Sequence, residues 1–150
     1  MNPTVNINQG DIWRIPFVIP SKEIEDLISE LSIANISFKK QLNAYKLIET
    51  DFENSPVVSF SSTNLRDRIL TFLDYENSEI TQILLNEALI NRLIFGVYGL
   101  SEEDRKQVEV KMGKPVGELP VIQEARKSYL EEAKIDNREV LEFMHALDIA

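Results

Sequence analysis

The sequence predicts a mainly α-helical domain led by a short extended N-terminal segment, and three observations carry that expectation. Beyond residue 20, apolar residues recur at the three- and four-residue steps of one helical face. Helix-starting residues stand at the head of two such runs: Ser21 ahead of Glu23, Glu25 and Asp26, and Ser101 ahead of Glu102, Glu103 and Asp104. Residues 2–20 break the period with Pro3, Pro16 and Pro20, and Gly10-Asp11 reads as a turn between short extended pieces.

Composition sets the limits. A chain of 150 residues is long enough to bury about two-thirds of its unfolded surface. At 43% hydrophobic and 27% charged it reads as globular rather than disordered. The apolar stretch 84–100 is interrupted by Asn86, Glu87, Asn91 and Arg92, short of the roughly 18 uninterrupted residues of a membrane span. Met1-Asn2-Pro3-Thr4 carries no secretory pattern, and the lack of cysteine removes disulfides and thiolate metal sites. A cytoplasmic protein without a membrane partner is expected. The net charge of -9 argues against a free-standing nucleic-acid binder, because affinity there comes largely from neutralising phosphates.

In chain order, Trp13 and Arg14 come first. As a pair they suit stacking and phosphate contact on DNA; the simpler reading, favoured here, packs the tryptophan on the domain beside a solvated arginine. A helix, or two joined by a kink, is expected from 21 to about 50. Its inner stripe is Ile24, Leu27, Ile28 and Leu31, blurred by Ser32, Asn35 and Ser37 and restored by Phe38, Leu42, Tyr45 and Ile48. Lys39, Lys40 and Lys46 in its later half suit the helix dipole better than a phosphate site. Residues 51–63 read as a connection, with a turn at Asn54-Ser55-Pro56 and at most a short strand over Val57, Val58 and Phe60. A short amphipathic helix over 64–73 should be buried through Leu65, Ile69, Phe72 and Leu73.

The central unit is 78–108. Ile80, Ile83, Leu84, Ala88, Leu93, Ile94, Val97 and Tyr98 mark its expected buried face. Gly99 fits the left-handed position past a helix end, Leu100 its apolar closing contact, and Ser101 the cap of a second, acidic helix. Residues 113–120 form the clearest loop, followed by expected helices over 121–134 and 137–147.

Candidate chemistry is sparse. The glycines never form GxGxxG or GxxxxGK[ST], and His145 has no second histidine with which to share a metal. A small metal-dependent nuclease could be sought at Glu109-Val110-Lys111 if that stretch were a strand, with Asp104 as the further carboxylate. Asp104 is better explained as part of a helix cap.

Two stretches resemble a known family. Asn2-Pro3-Thr4-Val5-Asn6-Ile7-Asn8-Gln9-Gly10-Asp11-Ile12-Trp13-Arg14-Ile15-Pro16 resembles Asn-Pro-Thr-x-Asn-x-x-x-Gly-Asp-Ile-x-x-(Ile/Leu)-Pro. That segment lies near the end of the target-recognition region in large adenine-specific DNA methyltransferases, including type II restriction–modification enzymes and the PglX-like enzymes of BREX phage-defence systems. Asn86-Glu87-Ala88-Leu89-Ile90-Asn91-Arg92-Leu93-Ile94-Phe95-Gly96-Val97-Tyr98-Gly99-Leu100-Ser101-Glu102-Glu103 is similar to their later Glu-(Leu/Ile)-(Asn/Asp)-Arg-x-(Ile/Val)-x-x-x-Tyr-Gly-Leu signature, with Leu89 where the family has Glu, and in the same order.

The resemblance implies that residues 1–20 end a target-recognition region and that 21–150 form a helical C-terminal domain. It implies no catalytic, cofactor or metal residue here. The family's (Asn/Asp)-Pro-Pro-(Tyr/Phe) motif is absent, Asn54-Ser55-Pro56-Val57 being the nearest approach, and so is its S-adenosylmethionine loop. Met1 is then expected to be a start codon added to a fragment, or the start of a gene truncated to this portion. The implied role is support of DNA recognition or subunit contact in a parent enzyme, with DNA reached through that parent. Arg14 and Trp13 are the candidate DNA contacts, and Tyr98, Gly99, Leu100 and Ser101 are structural. An independent helical protein–protein module, partnered or homo-oligomeric, is the alternative, and the nuclease a second one.

Overall fold

Ser21 opens the first helix, α1 (Lys22–Asn43), its hydroxyl accepting from the Ile24 amide at 3.5 Å. The computed structural model describes residues 16–119, together with Gly10, Trp13, Arg14, Arg138 and Glu142. Lys22 pairs with Asp26 across one helical turn at 2.8 Å. The helix is a single piece and stops at Asn43, short of the expected Thr50. Past its cap at Ala44, the Tyr45 and Lys46 amides turn back to the carbonyls of Leu42 and Asn43. The Ala44 carbonyl then accepts from Glu53 and Asn54, closing a loop in place of further helix. Ile48, expected on the buried stripe, is 92% exposed.

Where a connection with at most a short strand was expected, Pro56–Ser59 forms one helical turn, α2. Proline at its first position has the right φ and lacks an amide that would go unbonded there. The Ser55 carbonyl accepts from Val58 and Ser59. Arg68 fastens this turn, donating to the carbonyls of Ser62 and Val57 at 3.0 and 3.1 Å.

The short helix expected over 64–73 and the central helix expected from 78 are one element, α3 (Leu65–Val97). Its 33 residues run about 50 Å. Asn64 caps it, accepting from the Asp67 amide at 2.9 Å. Between the two expected pieces, Asp74-Tyr75-Glu76-Asn77-Ser78 contains no glycine or proline to stop it.

The two long helices pair antiparallel: Gln41 meets Tyr75, whereas Asn35, nearer the start of α1, meets Asn86, nearer the end of α3. Leu31, Leu85, Ala88 and Leu89 form the core, with Leu27, Ile90 and Leu93 packed against it. Of the expected central face, Ile83 and Ala88 are buried and Leu84, Leu93 and Val97 half-buried, but Ile80, Ile94 and Tyr98 are exposed. Leu65, Ile69 and Leu73 are exposed as well. The face turned to α1 instead carries Tyr75, Gln82 and Asn86. Gln82 Nε2 donates to Asn86 Oδ1 at 2.6 Å, Asn86 Nδ2 to Asn35 Oδ1 at 2.8 Å, and Asn35 Nδ2 to the Ile83 carbonyl at 3.4 Å. Asn35, which blurred the helical pattern, is therefore a buried, satisfied member of the seam.

As one piece, α3 is long and apolar enough to cross a membrane by length and composition, which the expected break had concealed. The core helix of a water-soluble hairpin meets the same criterion. Here Leu85, Asn86, Ala88 and Leu89 of α3 are buried in the protein's own core, and an ion pair joins Lys39 to Glu87 at 3.0 Å.

At its end α3 turns as expected. Gly99 has φ +61°, the Gly99 amide donates to the Gly96 carbonyl and the Leu100 amide to the Phe95 carbonyl, a complete Schellman closure. Helix α4 (Glu102–Met112) follows with a reciprocal capping box: Ser101 Oγ accepts from the Asp104 amide and the Asp104 carboxylate from the Ser101 amide. A 3-10 turn (Val116–Glu118) then packs on α3. No strand occurs among the described residues, and the fold is mainly α. The expected C-terminal helices and His145 lie outside the described residues, apart from Arg138 and Glu142, which are helical and ion-paired at 2.7 Å. Gly10 is helical rather than at a turn, and Asp11 lies outside the described residues.

Candidate contact site at the helical corner

The corner between α3 and α4 holds the N-terminal segment. The Tyr98 hydroxyl donates to the Pro16 carbonyl at 3.0 Å, a bond between residues 82 apart in sequence. Pro16 and Pro20 bracket an extended run with neither helix nor strand pairing, so Phe17 and Ile19 stand in solvent, 81% and 82% exposed. Trp13 is 80% exposed and Arg14 is exposed beside it. This reverses the favoured reading of Trp13 as an aromatic packed on the domain. The proline-bracketed backbone leaves the segment with one described anchor, at Tyr98, and its aromatic side chains face outward.

The corner is braced from its other side. The Arg105 guanidinium lies 5.9 Å from the Phe95 ring centroid and binds Glu109 at 2.8 Å and Glu118 at 2.7 Å. The hydrogen bond to Glu109 leads in holding the Arg105 pKa above its ordinary value, and the charge of Glu118 adds to it. Asp104 is held below the usual carboxylate value, first by the hydrogen bond from the Ser101 hydroxyl and then by that from its amide. Gly117 seats the 3-10 turn against the α3 backbone. A Cβ there would meet the Leu84 carbonyl oxygen, with the carbonyl carbon at 2.8 Å and Ala88 Cβ at 3.0 Å.

These bonds decide what the corner can do. Val108 to Lys111 is helical, so the strand that the nuclease alternative requires is not formed; Glu109 is bound to Arg105 and Asp104 to Ser101. Among the described residues, no three metal-capable side chains come together. Tyr98, Gly99, Leu100 and Ser101 form the turn, and the exposed Trp13, Arg14, Phe17 and Ile19 lie in the segment tied to it at Pro16.

Sequence reasoning brought Tyr98 to Ser101 together but missed Arg105 and Gly117. The i,i+4 pair Arg105–Glu109 was readable from spacing. The bond from Arg105 to Glu118 crosses a glycine- and proline-containing loop and had no local signal. Compared with protein-family models, curated proteins and solved structures, the chain matches none.

Proposed function

We propose that the chain is the non-catalytic C-terminal helical part of a site-specific adenine DNA methyltransferase, of the restriction–modification or phage-defence kind, and that it buttresses the target-recognition region. The observation that carries this reading is the Tyr98–Pro16 hydrogen bond. It joins the two stretches on which the resemblance rests, so that the later motif supports the end of the earlier one. The exposed Trp13 and Arg14 are compatible with a contact to DNA or to a neighbouring domain. With a net charge of -9, the chain by itself binds duplex DNA weakly at most. S-adenosylmethionine belongs to the parent's catalytic domain, and no residue of this chain is assigned to it. The parent works in the cytoplasm.

Deleting residues 17–150 from the intact enzyme tests the proposal. The truncated enzyme should still bind S-adenosylmethionine but lose most site-specific methylation. Full methylation after the deletion would overturn it. The alternative of an independent helical interaction module draws support from exposed apolar side chains away from the corner, notably Ile33 and Val110.

A further inference from the structure

A cleft of about 660 Å³ opens where α1 ends, between its last turn, the loop that follows and α3. Tyr45 and Tyr75 form its aromatic side, with ring centroids 6.0 Å apart and planes at 79°. Both rings border the cleft. Both rings are held in place. Phe60 packs against each at 5.7 Å, Phe72 packs against Tyr45 at 5.4 Å, and the Tyr75 hydroxyl donates to Gln41 Oε1 at 3.2 Å.

The loop adds Asp51, Phe52 and Glu53 to the lining. Among the described residues neither carboxylate has an ion-pair partner. The cleft also receives the C-terminus of α1, the negative end of that helix's dipole. Lys40 is the one cation in the lining, and among the described residues it has no ion-pair partner either. Fixed aromatic rings beside a lining in which two carboxylates outweigh one lysine suit a large, weakly hydrated cation, whose desolvation is cheap.

We propose that this cleft binds an organic cation of the guanidinium or alkylammonium class. The cation could be a free small molecule or the side chain of an arginine or methylated lysine on a partner polypeptide. Lys40 opposes it and lowers its affinity.

Titration of the full chain, followed by NMR of the tyrosine ring resonances, tests this with three probes: tetramethylammonium, capped arginine amide and capped citrulline amide. The two cations should shift Tyr45 and Tyr75 saturably, and citrulline, the neutral match of arginine, should bind at least tenfold more weakly. Asp51→Asn with Glu53→Gln should weaken the cations at least tenfold, and Lys40→Gln should tighten them severalfold. These three side chains are exposed, and an unchanged melting curve would show the fold intact. Tighter arginine than tetramethylammonium would identify a guanidinium ligand and the reverse order a quaternary ammonium, free or on a methylated lysine; either supports the proposal. Equal affinity for arginine and citrulline, no saturable shift, or weaker binding in Lys40→Gln would overturn it.

Discussion

Replacing Asn86 by alanine removes the hub of the polar seam between α1 and α3. Asn86 is 2% exposed, and its amide both donates to Asn35 and accepts from Gln82. The variant deprives Asn35 Oδ1 and Gln82 Nε2 of these bonds at sites that are themselves buried. Each buried polar group stripped of a partner costs about 1–3 kcal/mol. Water entering the space left by the amide would offset part of that, so a net loss of roughly 3 kcal/mol is expected. Asn35→Ala removes one of the same bonds, so the double variant should be less destabilised than the sum of the singles, by about 1–2 kcal/mol. Urea unfolding followed by far-ultraviolet circular dichroism reads both quantities, given unchanged denaturant slopes. Strict additivity, or a loss below about 1 kcal/mol for Asn86→Ala, would refute the bonded seam.

The corner and the turn behind it give further expectations. Gly99→Val should cost about 1–2 kcal/mol or more, because φ +61° strains a β-branched residue. Gly96→Ala should be neutral or mildly stabilising, its Cβ meeting nothing within 4 Å; equal losses in thermal melts would contradict the placed helix end. Gly117→Ala should cost about 1–3 kcal/mol by forcing the 3-10 turn off the Leu84 backbone, and an unchanged melting temperature would mean the turn is not seated there. Glu79 has a carboxylate oxygen, Oε2, that is buried without a hydrogen-bond partner among the described residues, and burial raises its pKa above the ordinary 4.5. A raised folded-state pKa means that the folded state binds the proton more tightly, so stability is lost as pH rises from about the ordinary value through the raised one. Glu79→Gln should therefore raise the melting temperature at neutral pH, with the gain shrinking as pH falls through the ordinary carboxylate range. A gain independent of pH would contradict burial of the charge.

Local chemistry was legible in the residues themselves. Ser21, Gly99 and the Ser101–Asp104 box act through atoms within a few positions of each other, and each stands where its residue type belongs. Long-range choices were not. The apolar stripe Leu65, Ile69, Leu73 has helical spacing, yet the side of α3 that α1 covers is set by partners such as Gln41 and Asn35, 34 and 51 residues from the side chains they meet. Polar residues in a seam weaken the very periodicity used to find it, which is why α3 was divided near Ser78 and Asn35 read as a blemish. The end of α1 depends on amides from Glu53 and Asn54 reaching the Ala44 carbonyl, and nothing near Asn43 announces that. At the corner, the turn residues were readable from their own chemistry, but the Tyr98–Pro16 bond is a tertiary contact with no local signal.

The proposed role is tested most directly by mass spectrometry of the native polypeptide carrying this sequence, isolated from its source cells with a tag on its C-terminus. The account predicts one longer polypeptide in which peptides of this chain accompany an upstream peptide containing Asn-Pro-Pro-Tyr or Asn-Pro-Pro-Phe. A native species of 17.2 kDa with no such motif, and no methyltransferase co-purifying, would contradict it and leave the independent interaction module as the reading to pursue.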